Sequence, residues 1–382
     1  MSNNTTIDLV KTPSLILDEE RMSNNISGLL SRIEAQSVTF RPHMKTAKCV
    51  EVARRVMTSP RGPITVSTLK EAEQFADAGV RDILYAVGIA PNKLDAVLAL
   101  RAKGVDLSIL VDSIAQAEAV AAKARLEGDP IPVLIEIDAD GYRGGVPADE
   151  TETVLAVGRA LHEGGAELRG ILTYSGATYE CREVDEIRAV AERERRAATR
   201  SAELLRNAGL PCPIVSVGST PTALFSRDFT GVTEVRAGVF AFFDLVMAGL
   251  GVCSVDDIAL SVLATVIGHQ HDGRRILVDA GWMAMSRDLG TAGQRVSQGY
   301  GVVCDLDGEI IPDLIMSGAS QEHGILSLRP DSRRALPDLP IGTLVRILPN
   351  HACATAAQHH RYNVVSKGSR EVTAVWDRFS GW

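Results

Sequence analysis

No block of lysine or arginine runs anywhere in the 382 residues, and acidic groups outnumber basic ones 48 to 40, for a formal charge of −8. Such a chain repels a phosphate backbone, which argues against nucleic acid as a partner and for a small-molecule substrate. No apolar run approaches the roughly 20 residues of a membrane helix, so no membrane partner is expected. Met1 to Val10 is polar and lacks the cationic-then-apolar layout of a secretion signal, which predicts a cytoplasmic protein. Cys49, Cys181, Cys212, Cys253, Cys304 and Cys353 lie far apart with no CxxC, so free thiols are expected rather than a disulfide framework.

What is present is an ordinary globular composition, 45% hydrophobic and 23% charged, at a length beyond the growth of one core. A strand at Ser14 to Leu17 and a helix from Glu19 to Glu34 open the chain. Strands then read near Val38–Arg41, Ile64–Ser67, Asp82–Ala86, Leu107–Val111, Val133–Ile137, Leu168–Thr173, Ile214–Val217 and Glu234–Gly238, with helical runs between most of them. Eight strands alternating with helices predict an α/β fold, a (β/α)8 TIM barrel, over 18–250. After Gly251 the pattern changes to strands at Ala259–Gly268, Arg275–Asp279, Gly301–Cys304 and Thr343–Ile347 joined by Gly/Asp turns, which predicts an antiparallel β domain built from 1–17 and 251–382. The opening strand is placed there because a closed barrel has no free edge.

Barrel active sites form where strands deliver their C-terminal ends. Lys45, in Arg41-Pro42-His43-Met44-Lys45-Thr46, falls just past the first strand; it reads as a solvated loop lysine or as one that low-dielectric protein makes apt for Schiff-base chemistry. Gly218-Ser219-Thr220 follows the seventh strand and precedes Pro221 at a helix start; it reads as an anion loop or as an ordinary capped turn. Arg143 lies among glycines after the fifth strand and Arg236 in the eighth. Alone each fits a salt bridge; together with a lysine and an anion loop they suit a phosphorylated aromatic cofactor. In the β domain, His351 and Cys353 are two apart after a strand; they read as a buried cysteine beside a surface histidine or, since an extended chain puts both on one face, as a metal-binding pair, Zn²⁺ before Mg²⁺ or Ca²⁺. His323 reads as a residue behind the metal or as an exposed one, and His359 and His360 as surface.

These segments resemble the fold-type III (alanine racemase-like) pyridoxal phosphate enzymes, in the branch that holds D-serine dehydratase, D-threonine aldolase and D-threo-3-hydroxyaspartate dehydratase. The likeness runs from Thr12 to the C-terminus through TPSLILD (12–18), RPHMKT (41–46), DADGYRGGV (138–146), SVGSTPT (216–222), VRAGVFAFFD (235–244), DAGWMAMS (279–286), QEHG (321–324) and PNHAC (349–353); ITVSTLKEAEQF (64–75) is most like the hydroxyaspartate enzyme. The resemblance implies that Lys45 bears the cofactor, that Arg143 meets its phenolic oxygen, and that Gly218, Ser219, Thr220, Gly238 and Val239 hold its phosphate. It sets Arg236 against the pyridine nitrogen, and Tyr174 and Tyr179, where many relatives carry histidine, beside the cofactor. His-x-Cys resembles the dehydratases and His-x-Asp the aldolases. The implied activity is therefore metal-dependent dehydration of a D-3-hydroxyamino acid, D-threo-3-hydroxyaspartate to oxaloacetate and ammonia foremost, with D-serine or D-threonine as further substrates and Zn²⁺, Mn²⁺, Co²⁺ or Mg²⁺ as the ion. Retro-aldol cleavage and a non-catalytic pyridoxal phosphate carrier are the alternatives, and relatives of this fold form head-to-tail homodimers.

Overall fold

The computed structural model describes residues 5–270 and 273–382; the first four residues of the polar N-terminal stretch lie outside it. The chain divides into two compact units, one made of the chain up to Ser27 with Val239–Arg378, the other of Gly28–Gly238 with Phe379–Trp382.

After β1 (Ser14–Asp18) and α1 (Glu19–Glu34), the second unit alternates strand and helix: β2 (Thr39–Pro42), α2 (Val50–Val56), β3 (Ile64–Val66), α3 (Leu69–Asp77), β4 (Asp82–Gly88), α4 (Leu94–Ala102), β5 (Asp106–Val111), α5 (Ile114–Glu127), β6 (Pro132–Asp138), the two-residue β7 (Val146–Pro147), α6 (Thr151–Glu163), β8 (Glu167–Thr173), α7 (Val184–Asn207), β9 (Ile214–Val217), α8 (Thr220–Phe225) and β10 (Glu234–Ala237). All pairings are parallel, in the order β2-β10-β9-β8-β6-β5-β4-β3, with β7 added to β6. β2 ends in Pro42, which has no N–H to donate, and the ring is closed one residue on, by a parallel bridge from His43 to Thr65. The predicted (β/α)8 barrel is thus present, with Lys45 leaving it at the closing seam.

Local chemistry explains the alternation. Between β2 (Thr-Phe-Arg-Pro) and β10 (Glu-Val-Arg-Ala), which carry charged residues, the strands are mostly Val, Ile and Leu buried on both faces, as parallel sheets require. Thr68 and Ser113 cap α3 and α5 by accepting from Glu71 and Gln116 N–H, and Gly128 ends α5 in the left-handed conformation at φ 68°. Leu84, Leu110, Leu134 and Leu172 form a cluster donated by four strands; truncating one to alanine costs about 2–5 kcal/mol. At the N-terminal ends of the strands each arginine bridges two carboxylates, Arg41 with Glu234 and Asp82, both at 2.6 Å, and Arg169 with Asp106 and Glu167 at 2.8 and 3.0 Å.

The first unit carries α9 (Leu245–Gly249), β11 (Leu260–His269), β12 (Ile276–Val278), α10 (Trp282–Met285), β13 (Gly301–Cys304), β14 (Ile310–Ala319), β15 (Gly324–Leu328), β16 (Leu344–Pro349), α11 (Ala352–Ala356), β17 (Arg361–Val365) and β18 (Ala374–Asp377). Strands β12-β15-β14-β13-β16-β11 pair antiparallel, and β11 pairs back to β12, so six strands close a ring. β1 extends it, antiparallel to β11 and parallel to β17. The C-terminal antiparallel β domain of the sequence reading is there, with twice the strands it counted. The four it missed include β14, whose Pro312 and left-handed Asp313 (φ 63°) break the expected alternation.

Candidate active site

Lys45 stands in the turn that follows β2. Met44 donates its N–H to the carbonyl of Thr65 across the seam (2.8 Å), and the Lys45 N–H points at His43 Nδ1 (3.4 Å). The Lys45 ammonium lies 5.8 Å from the Tyr174 ring centroid and the Arg143 guanidinium 4.3 Å from it, so the tyrosine after β8 gathers two cations on its π-face. Arg143 also pairs with Glu136 at 3.6 Å. Arg236 is buried; its Nε donates to Ser216 Oγ (2.9 Å) and its terminal nitrogen to the Thr173 carbonyl. His43 is the group these cations act on: burial and the charges of Lys45, Arg236 and Arg143 push its pKa well below 6.5, so it is neutral. Tyr179 is half-buried in the single turn Gly176–Glu180.

The loop after β9 is made for close approach. Gly218 has φ 132°, and a Cβ there would sit 2.2 Å from the Arg236 carbonyl oxygen, so only glycine fits. Ser219 caps α8 in a reciprocal box with Thr222. The Ser219 N–H therefore goes to Thr222 Oγ1 (2.9 Å), and the Gly218 N–H goes to Glu194 Oε1 (3.0 Å), a buried carboxylate the sequence reading did not single out. Thr220 Oγ1 is buried without a hydrogen-bond partner. An orphaned hydroxyl in a glycine-shaped loop, at a barrel mouth rich in cations, fits an anionic guest. α8 has only six residues, so individual donors rather than a macrodipole make the site. Gly238 closes against His43, whose carbonyl a Cβ would approach to 3.2 Å, and Val239 follows it buried.

In the first unit, β16 runs into His351, which is extended (φ −131°, ψ 106°) and heads α11. Cys353 is already inside that helix, so the alternation argument from an extended chain is corrected: the two side chains meet because a helical turn begins between them, and the thiol hydrogen-bonds to the imidazole. Asp288 Oδ2 lies 2.6 Å from His351 Nδ1. Asp244 caps α9 through Met247 N–H and holds the head of α11 through Ala352 N–H, each at 2.9 Å. Burial opposes a charge on His351, but the Cys353 sulfur, Asp288 and Asp244 overcome it and hold the imidazole pKa up to about 11. Burial pushes the Asp244 pKa up, whereas the hydrogen bond to His351 pulls that of Asp288 down. Among the described residues no group of three or more His, Cys, Asp or Glu side chains is arranged to hold a metal. The donor chemistry still fits one with open positions: an imidazole and a thiol in contact, and a carboxylate on the far ring nitrogen, the usual partner of a metal-bound histidine. His323 and His360 are exposed. His359 is not at the surface as expected; it is half-buried, its Nε2 2.9 Å from the Ala284 carbonyl.

Comparison with known proteins agrees with this layout. Residues 17–246 match the family "Alanine racemase, N-terminal domain", and residues 259–365 match the "Putative serine dehydratase domain". The chain is 53% identical over 379 residues, 99% of both chains, to D-threo-3-hydroxyaspartate dehydratase of Delftia sp. (strain HT23). The solved structure of that enzyme superposes with a TM-score of 0.95, covering 99% of this chain and 100% of the other. A second similar structure, with the same TM-score at 52% identity over 99% and 100% of the two chains, is the C353A mutant of the dehydratase in the metal-free form. The chain therefore belongs to the alanine racemase N-terminal domain family, in the group that joins that barrel to a serine dehydratase domain.

Proposed function

We propose that this chain is a pyridoxal phosphate- and divalent-metal-dependent dehydratase of D-3-hydroxyamino acids, converting D-threo-3-hydroxyaspartate to oxaloacetate and ammonia. The observation that carries the reading is the His351–Cys353 pair, with Asp288 at 2.6 Å behind the imidazole. An imidazole and a thiolate are soft enough for Zn²⁺, and two protein ligands leave positions for a substrate hydroxyl. The 53% identity to a hydroxyaspartate dehydratase supports the substrate.

Lys45 would carry the cofactor, Arg143 would donate to its phenolic oxygen, Tyr174 and Tyr179 would flank it, and Arg236 would face its ring nitrogen. Thr220, with the backbone of the Gly218–Thr220 loop, Gly238 and Val239, would take its phosphate. Bound there, pyridoxal phosphate supplies a sink for the electron pair left at the substrate Cα, and the metal supplies Lewis acidity at the β-hydroxyl. Once the substrate amine has released it, the neutral Lys45 amine would take the Cα proton. Neutral His43 beside it adds no further positive charge to the mouth. Asp288 holds the His351 ring at Nδ1, so His351 and Cys353 would hold the ion with the imidazole already oriented. The cofactor domain is taken as 18–250 and the metal-bearing domain as 1–17 with 251–382, in a head-to-tail homodimer of the cytoplasm.

The test is a 2-oxo acid and ammonia assay on D-threo-3-hydroxyaspartate, D-serine and D-threonine, before and after EDTA and with Zn²⁺, Mn²⁺ or Co²⁺ restored. Ammonia and oxo acid in equal amounts, lost on chelation, are expected. Glycine with an aldehyde and no ammonia would replace the dehydratase by an aldolase.

A further inference from the structure

The anion loop is braced by a carboxylate that the proposed reaction does not use. Glu194 lies midway along α7, on the face it buries with Ile187, Val190, Ala191 and Ala198, and is 1% exposed. Its Oε1 accepts from the Gly218 N–H at 3.0 Å and from the Thr173 hydroxyl at 3.2 Å, and the Thr222 hydroxyl bonds to the same carboxylate. One side chain thus ties together the end of β8, the loop after β9 and the first turn of α8.

The bond to Gly218 decides which way the loop faces. At φ 132° the glycine is pressed against the Arg236 backbone, and its N–H turns inward to Glu194 rather than out to the mouth. Ser219 N–H is occupied by Thr222, so what the loop has left to offer an anion is the neighbourhood of the orphaned Thr220 hydroxyl. Removing the acceptor beneath Gly218 frees that peptide to turn, and Thr220 moves with it. Burial raises the Glu194 pKa and the charge of Arg236 opposes that rise, while the Arg236 guanidinium donates to the Thr173 carbonyl in the same network.

We propose that Glu194 is a positioning residue for the cofactor phosphate: it holds the Gly218–Thr220 loop in the shape that receives a phosphate monoester without touching the phosphate itself. This rests on the pyridoxal phosphate reading above. A residue that only stabilised the barrel would change every ligand's binding alike; a phosphate strut must change binding of phosphorylated ligands selectively.

The experiment compares wild type with Glu194→Met, which has no acceptor, and Glu194→Gln, which keeps an amide oxygen under Gly218. Apoenzyme is titrated with pyridoxal phosphate and separately with pyridoxal, reading the imine absorbance at Lys45, with thermal melting of each apoprotein alongside. Glu194→Met is expected to weaken pyridoxal phosphate by about tenfold or more, the scale of a lost hydrogen bond to a charged acceptor, and to leave pyridoxal within about twofold. Glu194→Gln should restore pyridoxal phosphate binding to within about threefold of wild type. Equal losses for both aldehydes, or a Glu194→Gln as impaired as Glu194→Met, overturn the proposal. If Glu194→Met fails to fold, Glu194→Asp, which withdraws the acceptor by one methylene, must show the same selectivity for the phosphorylated aldehyde, and equal binding of the two then refutes it. Wild-type protein that forms no imine with either aldehyde defeats the cofactor reading instead, whereas wild-type binding matched by the variants defeats only this inference.

Discussion

The barrel mouth and the head of α11 each surround a histidine with charge, and the charges are of opposite sign. At the mouth, burial together with Lys45, Arg236 and Arg143 drives His43 to the neutral form; in the β unit, Cys353, Asp288 and Asp244 overcome burial and hold the His351 pKa up to about 11. Burial disfavours the charged imidazole at both sites; the neighbouring charges add to it at His43 and overcome it at His351. Cations facing His43, beside an orphaned hydroxyl, describe a receptor for an anion, and carboxylates around an imidazole and a thiol describe a receptor for a cation.

If the contrast holds, the two centres fail in different ways. Lys45→Ala should abolish the imine absorbance and lower turnover by about 10³-fold or more, the scale expected when a covalent catalyst is removed, while bound metal measured by atomic absorption stays at the wild-type level. Dialysis against EDTA should do the reverse: turnover falls by about 10²-fold or more and the imine absorbance stays. A chelated protein that loses its absorbance would join the two centres into one. Asp288→Asn keeps the ring's neighbour but removes its charge, and should weaken metal affinity about 10- to 100-fold with pyridoxal phosphate binding unchanged, as read by competition with a chromogenic chelator.

How much of this was legible in the sequence follows from chain geometry. The barrel was, because its buried strands are short apolar runs separated by helices of regular period, and with it the place of Lys45 just past the first barrel strand. The bounds of α2 were not legible, since seven residues are too few for periodicity to set them. Glu194 is hidden among the acids and bases of α7, yet it occupies the slot between Ala191 and Ala198 on the apolar face, and a carboxylate at that register is the mark that could have found it. Asp288 reaches His351 across 63 residues and Asp244 reaches Ala352 across 108, separations that no local pattern encodes. His351 and Cys353 were found by a spacing whose expected geometry, an extended strand, is not the one that brings them together.

A smaller effect tests the mouth's backbone rather than its charge. Gly218→Ala forces a Cβ to within 2.2 Å of the Arg236 carbonyl at a φ that side chains avoid. It should cost about 1–3 kcal/mol of stability in urea unfolding and impair pyridoxal phosphate binding, with metal affinity untouched. A neutral substitution would mean that the loop is free to relax and that its shape is not what presents Thr220.

The smallest effect is the sharpest check of the opposite tuning, because it reads the two histidines in one titration. His351 has a folded pKa of about 11, above its unfolded 6.5, so in metal-free protein its contribution to stability is complete below about pH 6.5 and is lost as pH rises through 11. His43 has a folded pKa well below 6.5; above that pH it contributes nothing, and as pH falls below 6.5 the unfolded chain takes up a proton that the fold refuses, so stability declines toward acid. Urea midpoints of metal-free protein from about pH 4 to 11 should therefore lose part of the alkaline limb's slope in His351→Gln and part of the acid limb's slope in His43→Gln, each leaving the other limb alone. If both variants flatten the same limb, the two clusters do not have opposite polarity, and the division of labour between an anion-receiving mouth and a cation-receiving β unit fails with it.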